Sequence, residues 1–260
     1  LGAGRKGYGW LMARLKRWDS GPETNLSLLF IHGWGCTHQQ MAPLVARLDG
    51  DFHCISVDLL GHGASPRATG YAIAAQCDAV TEVLDGSEHL LAIGHSMGGQ
   101  IALELAARGT VSAAILLDPA PITPHQAAKT FVANMCETLP KIDISTFMEV
   151  FARKQFRAPV ESERVEQFVA SMKAMNPDVA RAAWQGIADF DGRDALSKLA
   201  RPCLAIFADK PLNDVKAFAK ASDYVETAQT ACAGHMQQLE VPEQLEAMIR
   251  RFISQNYPKR

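Results

Sequence analysis

The segment Gly94-His95-Ser96-Met97-Gly98-Gly99 constrains this chain more than any other. It follows the apolar run Leu90-Leu91-Ala92-Ile93 and precedes Gln100 to Arg108, which has the apolar spacing of a helix. Strand, tight turn and helix are the setting that a G-x-S-x-G pattern needs. Glycine two residues before and two after the serine removes side chains that would clash as the chain reverses. The serine can then stand at the tip with its hydroxyl exposed. The helix aims its unpaired N-terminal amides at the same spot, which suits a developing negative charge. A serine in an ordinary strand-to-helix turn is the plainer alternative. The flanking elements, with the motifs described below, favour a nucleophile.

Around this turn the chain alternates. Leu26 to Ile31, Phe52 to Val57, His89 to Ile93, Val111 to Leu117 and Cys203 to Phe207 are short apolar runs, as expected of strands buried on both faces. Tyr8 to Trp18 reads as a strand or hairpin arm, and Asp19-Ser20-Gly21-Pro22 as a turn. Gln39 to Leu48 and Tyr71 to Leu84 have helical spacing. Near the C-terminus, Asp214 to Ala221 reads as a helix, Tyr224 to Ala228 as a strand and Pro242 to Ile253 as a final helix. Strands alternating with helices predict an α/β fold with a mostly parallel central sheet flanked by helices. The rhythm breaks after Pro119. Gln126 to Leu139, Ile144 to Gln155, Ser162 to Met175 and Pro177 to Ile187 are all helical in pattern. We therefore expect a core of residues 1–119 and 201–260, with residues 120–200 as a helical cap or lid over the ligand-binding edge.

Composition narrows the function. A formal net charge of -2 gives no electrostatic case for nucleic acid or an anionic membrane. No apolar span of membrane-crossing length occurs, and the N-terminal residues hold no signal-peptide core. The chain starts at Leu1, which leaves its native start open. Cys36, Cys54, Cys77, Cys136, Cys203 and Cys232 form no C-x-x-C pair and no His-Cys cluster, so no metal or cofactor is expected. Cysteine usage suits a reducing, cytoplasmic compartment. Oligomeric state is left open.

Four motifs, in order, carry a resemblance: His32-Gly33-Trp34-Gly35 after a strand; Asp58-Leu59-Leu60-Gly61-His62-Gly63-Ala64-Ser65; the Gly94 to Gly99 turn; and Gly234-His235 followed by Leu239-Glu240-Val241-Pro242-Glu243. Together they resemble the α/β-hydrolase fold family, from about Leu26 to the C-terminus apart from the helical insertion. In the family's convention the insertion follows the sixth strand, here the strand that ends at Asp118.

The resemblance implies a catalytic triad. Ser96 would be the nucleophile and His235 the base that activates it. The amides of Trp34 and Met97 would form the oxyanion hole. The carboxylate is open. The family usually places it after the penultimate strand, three residues past a glycine, but here that position falls on Pro211. Asp118, which ends the strand after the nucleophile strand, ranks first; Asp214 and Asp209 follow. The plainer alternatives are that Asp118 caps a turn before Pro119 and Asp214 a helix N-terminus. His32 and His62 are expected to bond the local backbone, and His95 to point away from the site. His38, His53, His89 and His125 lack a motif.

The expected activity is a serine hydrolase. It would cleave an ester, lactone, thioester or ketone-adjacent carbon–carbon bond of a small hydrophobic organic substrate. The apolar aspect follows from Phe147, Met148, Phe151, Phe156, Phe168, Met172 and Trp184 in the insertion. The alternative is a cofactor-free dioxygenase that cleaves a heteroaromatic ring, with a His–Asp base on the same fold. A non-catalytic receptor is a third reading.

Overall fold

A computed structural model of the protein describes residues 14–84, 89–123, 126–138, 141–157 and 160–258. Its strands are β1 (Arg17–Ser20), β2 (Leu26–Ile31), β3 (His53–Val57), β4 (His89–His95), β5 (Ala113–Leu117), β6 (Cys203–Phe207) and β7 (Val225–Gln229). They form one sheet in the order β1-β3-β2-β4-β5-β6-β7. β1 runs antiparallel to β3, and the other pairings are parallel. β2, β5 and β6 are buried at every position, the mark of parallel strands covered on both faces.

Alternate side chains feed two cores. On one face Leu28, Phe30, Leu91 and Ile93 meet Leu44 and Leu48 of α1 (Ala42–Leu48) and Leu245, Ile249 and Phe252 of α11 (Pro242–Asn256). The last three recur at one-turn intervals, so α11 lays a single stripe on the sheet. On the other face Leu29, Ile31, Ala92 and Leu116 meet Ile101 and Leu105 of α3 (Met97–Ala107) and Ile73 and Val80 of α2 (Ile73–Thr81). Burying one such large side chain contributes about 2 kcal/mol.

Register is what places the site. Ile31 pairs with Gly94, His95 with Leu117, and Leu117 with Ile206. Four parallel strands thus end level, and the loops beginning at His32, Ser96, Asp118 and Ala208 leave from one edge. Ligands bind at that edge in open parallel sheets.

Between β5 and β6 run α4 (Gln126–Thr138), α5 (Ile144–Arg153), α6 (Ser162–Ala174), α7 (Pro177–Asp189) and α8 (Arg193–Lys198). No strand occurs among the described residues of this stretch. Buried Met148, Ala152, Phe168 and Met172 join α5 to α6 and to the main core. α7 starts sharply: the Asn176 side chain accepts from the Asp178 and Val179 amides, and Pro177 opens the helix.

Three local expectations are revised, and a fourth falls largely outside the described residues. The strand expected over Tyr8 to Trp18 lies largely outside the described residues. β1 begins at Arg17 and takes in Asp19 and Ser20, expected as turn, because they pair with Ile55 and Cys54. The helix expected over Gln39 to Leu48 splits at Met41. Thr37 caps a short 3-10 turn, His38–Gln40, and α1 restarts with Pro43 in its first turn, where a missing N–H costs nothing. α8 and α10 (Gln237–Glu240) are additional. α8 is too short to show a helical period, and α10 buries two glutamines in place of apolar residues.

Candidate active site

Ser96 stands at the tip of the β4–α3 turn with φ 53° and ψ −114°, a conformation that side-chain-bearing residues rarely adopt. Two glycines make it possible. A Cβ on Gly94 would lie 2.0 Å from the Gly98 carbonyl oxygen, and one on Gly98 would lie 2.2 Å from that of Ile31. The strained backbone is tied down on both sides. The Ser96 amide donates to the Leu117 carbonyl at 3.0 Å, and its own carbonyl accepts from Gly99 and Ala120.

Asp118 ends β5 by donating its amide to the Ile206 carbonyl at 2.8 Å. Its φ is 38°, the left-handed region that aspartate tolerates better than most residues. The carboxylate is 2% exposed. One oxygen accepts from the Ala208 amide at 3.1 Å. The other lies 2.6 Å from His235 Nδ1, which donates to it. Of the three carboxylates weighed from the sequence, this is the one bonded to His235. Asp209 pairs with the Arg157 guanidinium. Asp214 caps α9 (Val215–Ala219), accepting from the Ala217 amide at 3.0 Å.

The loop that carries His235 is braced from below. Gln237 donates to the Ile206 carbonyl at 2.8 Å and accepts from the Thr230 hydroxyl at 3.0 Å. His95 braces it from the side, contrary to the expectation that it points away. Its Nε2 donates to the His235 carbonyl at 2.9 Å, and the two rings are 4.7 Å apart. Burial holds the His95 imidazole well below its ordinary pKa, so it is neutral. His32 and His62 do bond the local backbone. His32 takes Gly33 and Leu59 as partners and His62 takes Leu60. Burial, reinforced by the neighbouring His62, lowers His32 to about 3.

Trp34 leaves β2 through a loop that presses on the serine. A Cβ on Gly33 would lie 3.1 Å from Ser96 Cβ and 2.9 Å from His95 Nδ1. The Trp34 indole donates to the Ala180 carbonyl at 2.9 Å and meets Trp184 and Phe151 edge-on. It therefore packs beneath α5 and α7. Met97 is the first residue of α3, and no preceding helical turn accepts its amide.

Sequence reasoning missed His95 and Asn213 as site residues. Asn213 accepts from the Ile122 amide and donates to the Pro119 carbonyl, each at 2.8 Å, which pins the segment after Asp118 to the loop after β6. In sequence it reads as an ordinary turn residue.

A cavity of about 570 Å³ opens beside the Asp118–His235 pair, with Phe156, Leu212, Lys154 and Lys210 on its walls. Among the described residues no cluster of His, Cys, Asp and Glu is arranged to hold a metal ion. Nor is any described helix long and apolar enough to cross a membrane.

Known proteins are similar to this chain in sequence or in fold. A pimeloyl-[acyl-carrier protein] methyl ester esterase of Neisseria meningitidis serogroup C is 27% identical over 208 residues, covering 76% of this chain and 80% of its own. A serogroup B protein of the same name is 36% identical over 97 residues, 37% of each chain. An esterase from Exiguobacterium antarcticum superposes with a TM-score of 0.83 over 92% of this chain and 95% of its own, at 20% identity, a likeness of fold. Residues 28–248 match the Alpha/beta hydrolase family as a whole. That range runs from β2 into α11 and takes in β3 to β7, the serine turn and the histidine loop, and the chain is thus an enzyme of the alpha/beta hydrolase family.

Proposed function

We propose that this enzyme is a serine esterase working through Ser96, His235 and Asp118. The observation that carries the reading is the 2.6 Å bond between buried Asp118 and His235, whose main chain rests on the neighbour of Ser96. Asp118 fixes the histidine tautomer with the proton on Nδ1, leaving Nε2 free as a base. Ser96 Oγ attacks the ester carbonyl as its proton passes to His235 Nε2. The oxyanion is held by the amides of Trp34 and Met97, the second of them at a helix N-terminus. As the tetrahedral adduct collapses, the C–O bond breaks and the alcohol leaves with the proton from His235. Water, deprotonated by the same nitrogen, then releases the acid and restores Ser96.

Residues 120–200 serve as the cap. Phe151 and Trp184 stand over Trp34 and give the acyl side of the site an apolar roof. A small hydrophobic acyl ester fits that roof. The meningococcal relatives are named for a methyl ester on a carrier-bound acyl chain, and methyl esters of medium acyl chains are the substrates we favour. No nucleic acid enters the reaction, and the reading requires no cofactor.

A fluorophosphonate probe tests the proposal. Labelling should occur at Ser96, disappear in S96A, and be outcompeted by a hydrolysable methyl ester. Failure to label a folded protein overturns it. The position of Asp118, after β5 instead of β6, is what keeps the cofactor-free dioxygenase as a second reading. Oxygen uptake that survives S96A and is lost in H235A would select it.

A further inference from the structure

Glu240 joins the helical insertion to the histidine loop. One of its carboxylate oxygens accepts from the Gly234 amide at 3.0 Å, immediately before His235. The other accepts from the Arg157 amide at 3.0 Å, in the strap that connects α5 to α6. The same strap returns on the far side of His235, where the Gln155 carbonyl accepts from the Met236 amide at 3.4 Å. The Arg157 guanidinium adds an ion pair to Asp209, whose amide bonds the Ala233 carbonyl. Residues 155–157 therefore bracket the histidine on both sides.

The approach is close enough to dictate a glycine. A Cβ on Gly234 would lie 2.6 Å from the Gln155 carbonyl oxygen, 2.8 Å from the Arg157 amide and 2.9 Å from Glu240 Oε1. Gly234 is needed because another stretch of backbone lies against it.

We propose that Glu240 is a positioning residue which makes the placement of His235 depend on the seating of the helical insertion. This rests on the esterase reading above, in which His235 is the base. Main-chain amides on both sides donate to it, so this carboxylate ties the strap directly to the residue before His235. With both oxygens engaged, insertion and loop move as one body. When the strap lifts, Glu240 loses the Arg157 donor and the Met236 amide loses the Gln155 carbonyl, and the loop carrying the imidazole loosens. An open insertion would admit substrate with the base out of register, and closure would restore it. Glu240 itself does not touch the reacting atoms.

The test compares wild type with E240Q, E240A and G234A. Glutamine keeps one acceptor oxygen, alanine removes both, and the added methyl at 234 pushes the strap off. In E240A, kcat for a p-nitrophenyl acyl ester should fall about tenfold to a hundredfold with KM changed less than about threefold, the pattern of a misplaced catalytic group. E240Q should fall between wild type and alanine. The low-field proton resonance of the His235–Asp118 bond should weaken in the same order. Amide exchange at Gly234 and Arg157 should accelerate together. Unchanged kcat and resonance in a folded E240A overturns the proposal. If E240A does not fold, E240Q and G234A decide by the same readouts. A wild-type protein that neither labels with fluorophosphonate nor turns over ester would sink the esterase reading. The resonance and exchange measurements would still judge the clasp.

Discussion

His95 Nε2 and the main-chain carbonyl of His235 lie 2.9 Å apart, so the residue preceding the serine holds the backbone of the histidine. The pair is 140 residues apart in sequence. Because burial keeps His95 neutral, a single N–H can serve this carbonyl across the working pH range.

That bond predicts the behaviour of substitutions at position 95. H95F fills the space and deletes the donor, and kcat should drop about tenfold, near the 1.4 kcal/mol of an ordinary lost hydrogen bond. H95Q offers an amide donor of similar reach and should recover part of the loss. Steady-state kinetics on the two variants checks this. Equal activity in H95F and wild type would show that the bond is idle.

The carboxylates make a sharper set. D118N should lower kcat about 10⁴-fold, since asparagine cannot hold the donor-on-Nδ1 tautomer. D209N should stay within a few-fold of wild type, its partner being Arg157. D214A should keep turnover while losing about 1 kcal/mol of stability, because its carboxylate caps α9. Turnover and urea midpoints of the three separate the roles.

Acid should unfold this protein early. His32 and His62 are buried neutral, with His32 lowered by burial and its neighbour to about 3 from an ordinary value of 6.5, and His62 lowered by burial. Their folded pKa values lie below their unfolded ones, so below 6.5 the unfolded chain takes up protons that the folded chain refuses. Their stability contribution is complete above 6.5 and drains away as pH falls below it, for His32 down to about 3. Urea midpoints should therefore decline steadily from pH 7 to pH 4. H32N should be less stable at pH 7 but show a shallower decline. An equal slope in both proteins refutes the assignment.

Gly94 offers a steric test. G94A places a methyl carbon 2.0 Å from the Gly98 carbonyl oxygen and forces the serine turn apart. A loss of at least about 2 kcal/mol is expected, together with most fluorophosphonate labelling. Normal labelling in a stable G94A would mean that the turn tolerates a wider geometry.

The architecture was legible because burial writes itself into local pattern. Leu26–Ile31 and Cys203–Phe207 are strands with the bounds that their apolar runs imply. The weak points were local too. Asp19 and Ser20 have turn chemistry, yet pairing to β3 draws them into a strand. Gln237 and Gln238 are polar, yet α10 buries both. In each case a contact distant in sequence overrode the local signal.

Sequence alone determined the strained serine turn, since glycine spacing around Ser96 is a steric requirement contained within a few residues. It also determined which residue types were available as base and acid. Only the tertiary structure decided which carboxylate meets His235. Asp118 and Asp209 lie just past strand ends and Asp214 at a helix start, so local pattern ranked the three without showing which one meets the histidine. The choice follows from the register of β5 against β6, which aims Asp118 at the histidine loop, while Arg157 and the α9 amides occupy the other two.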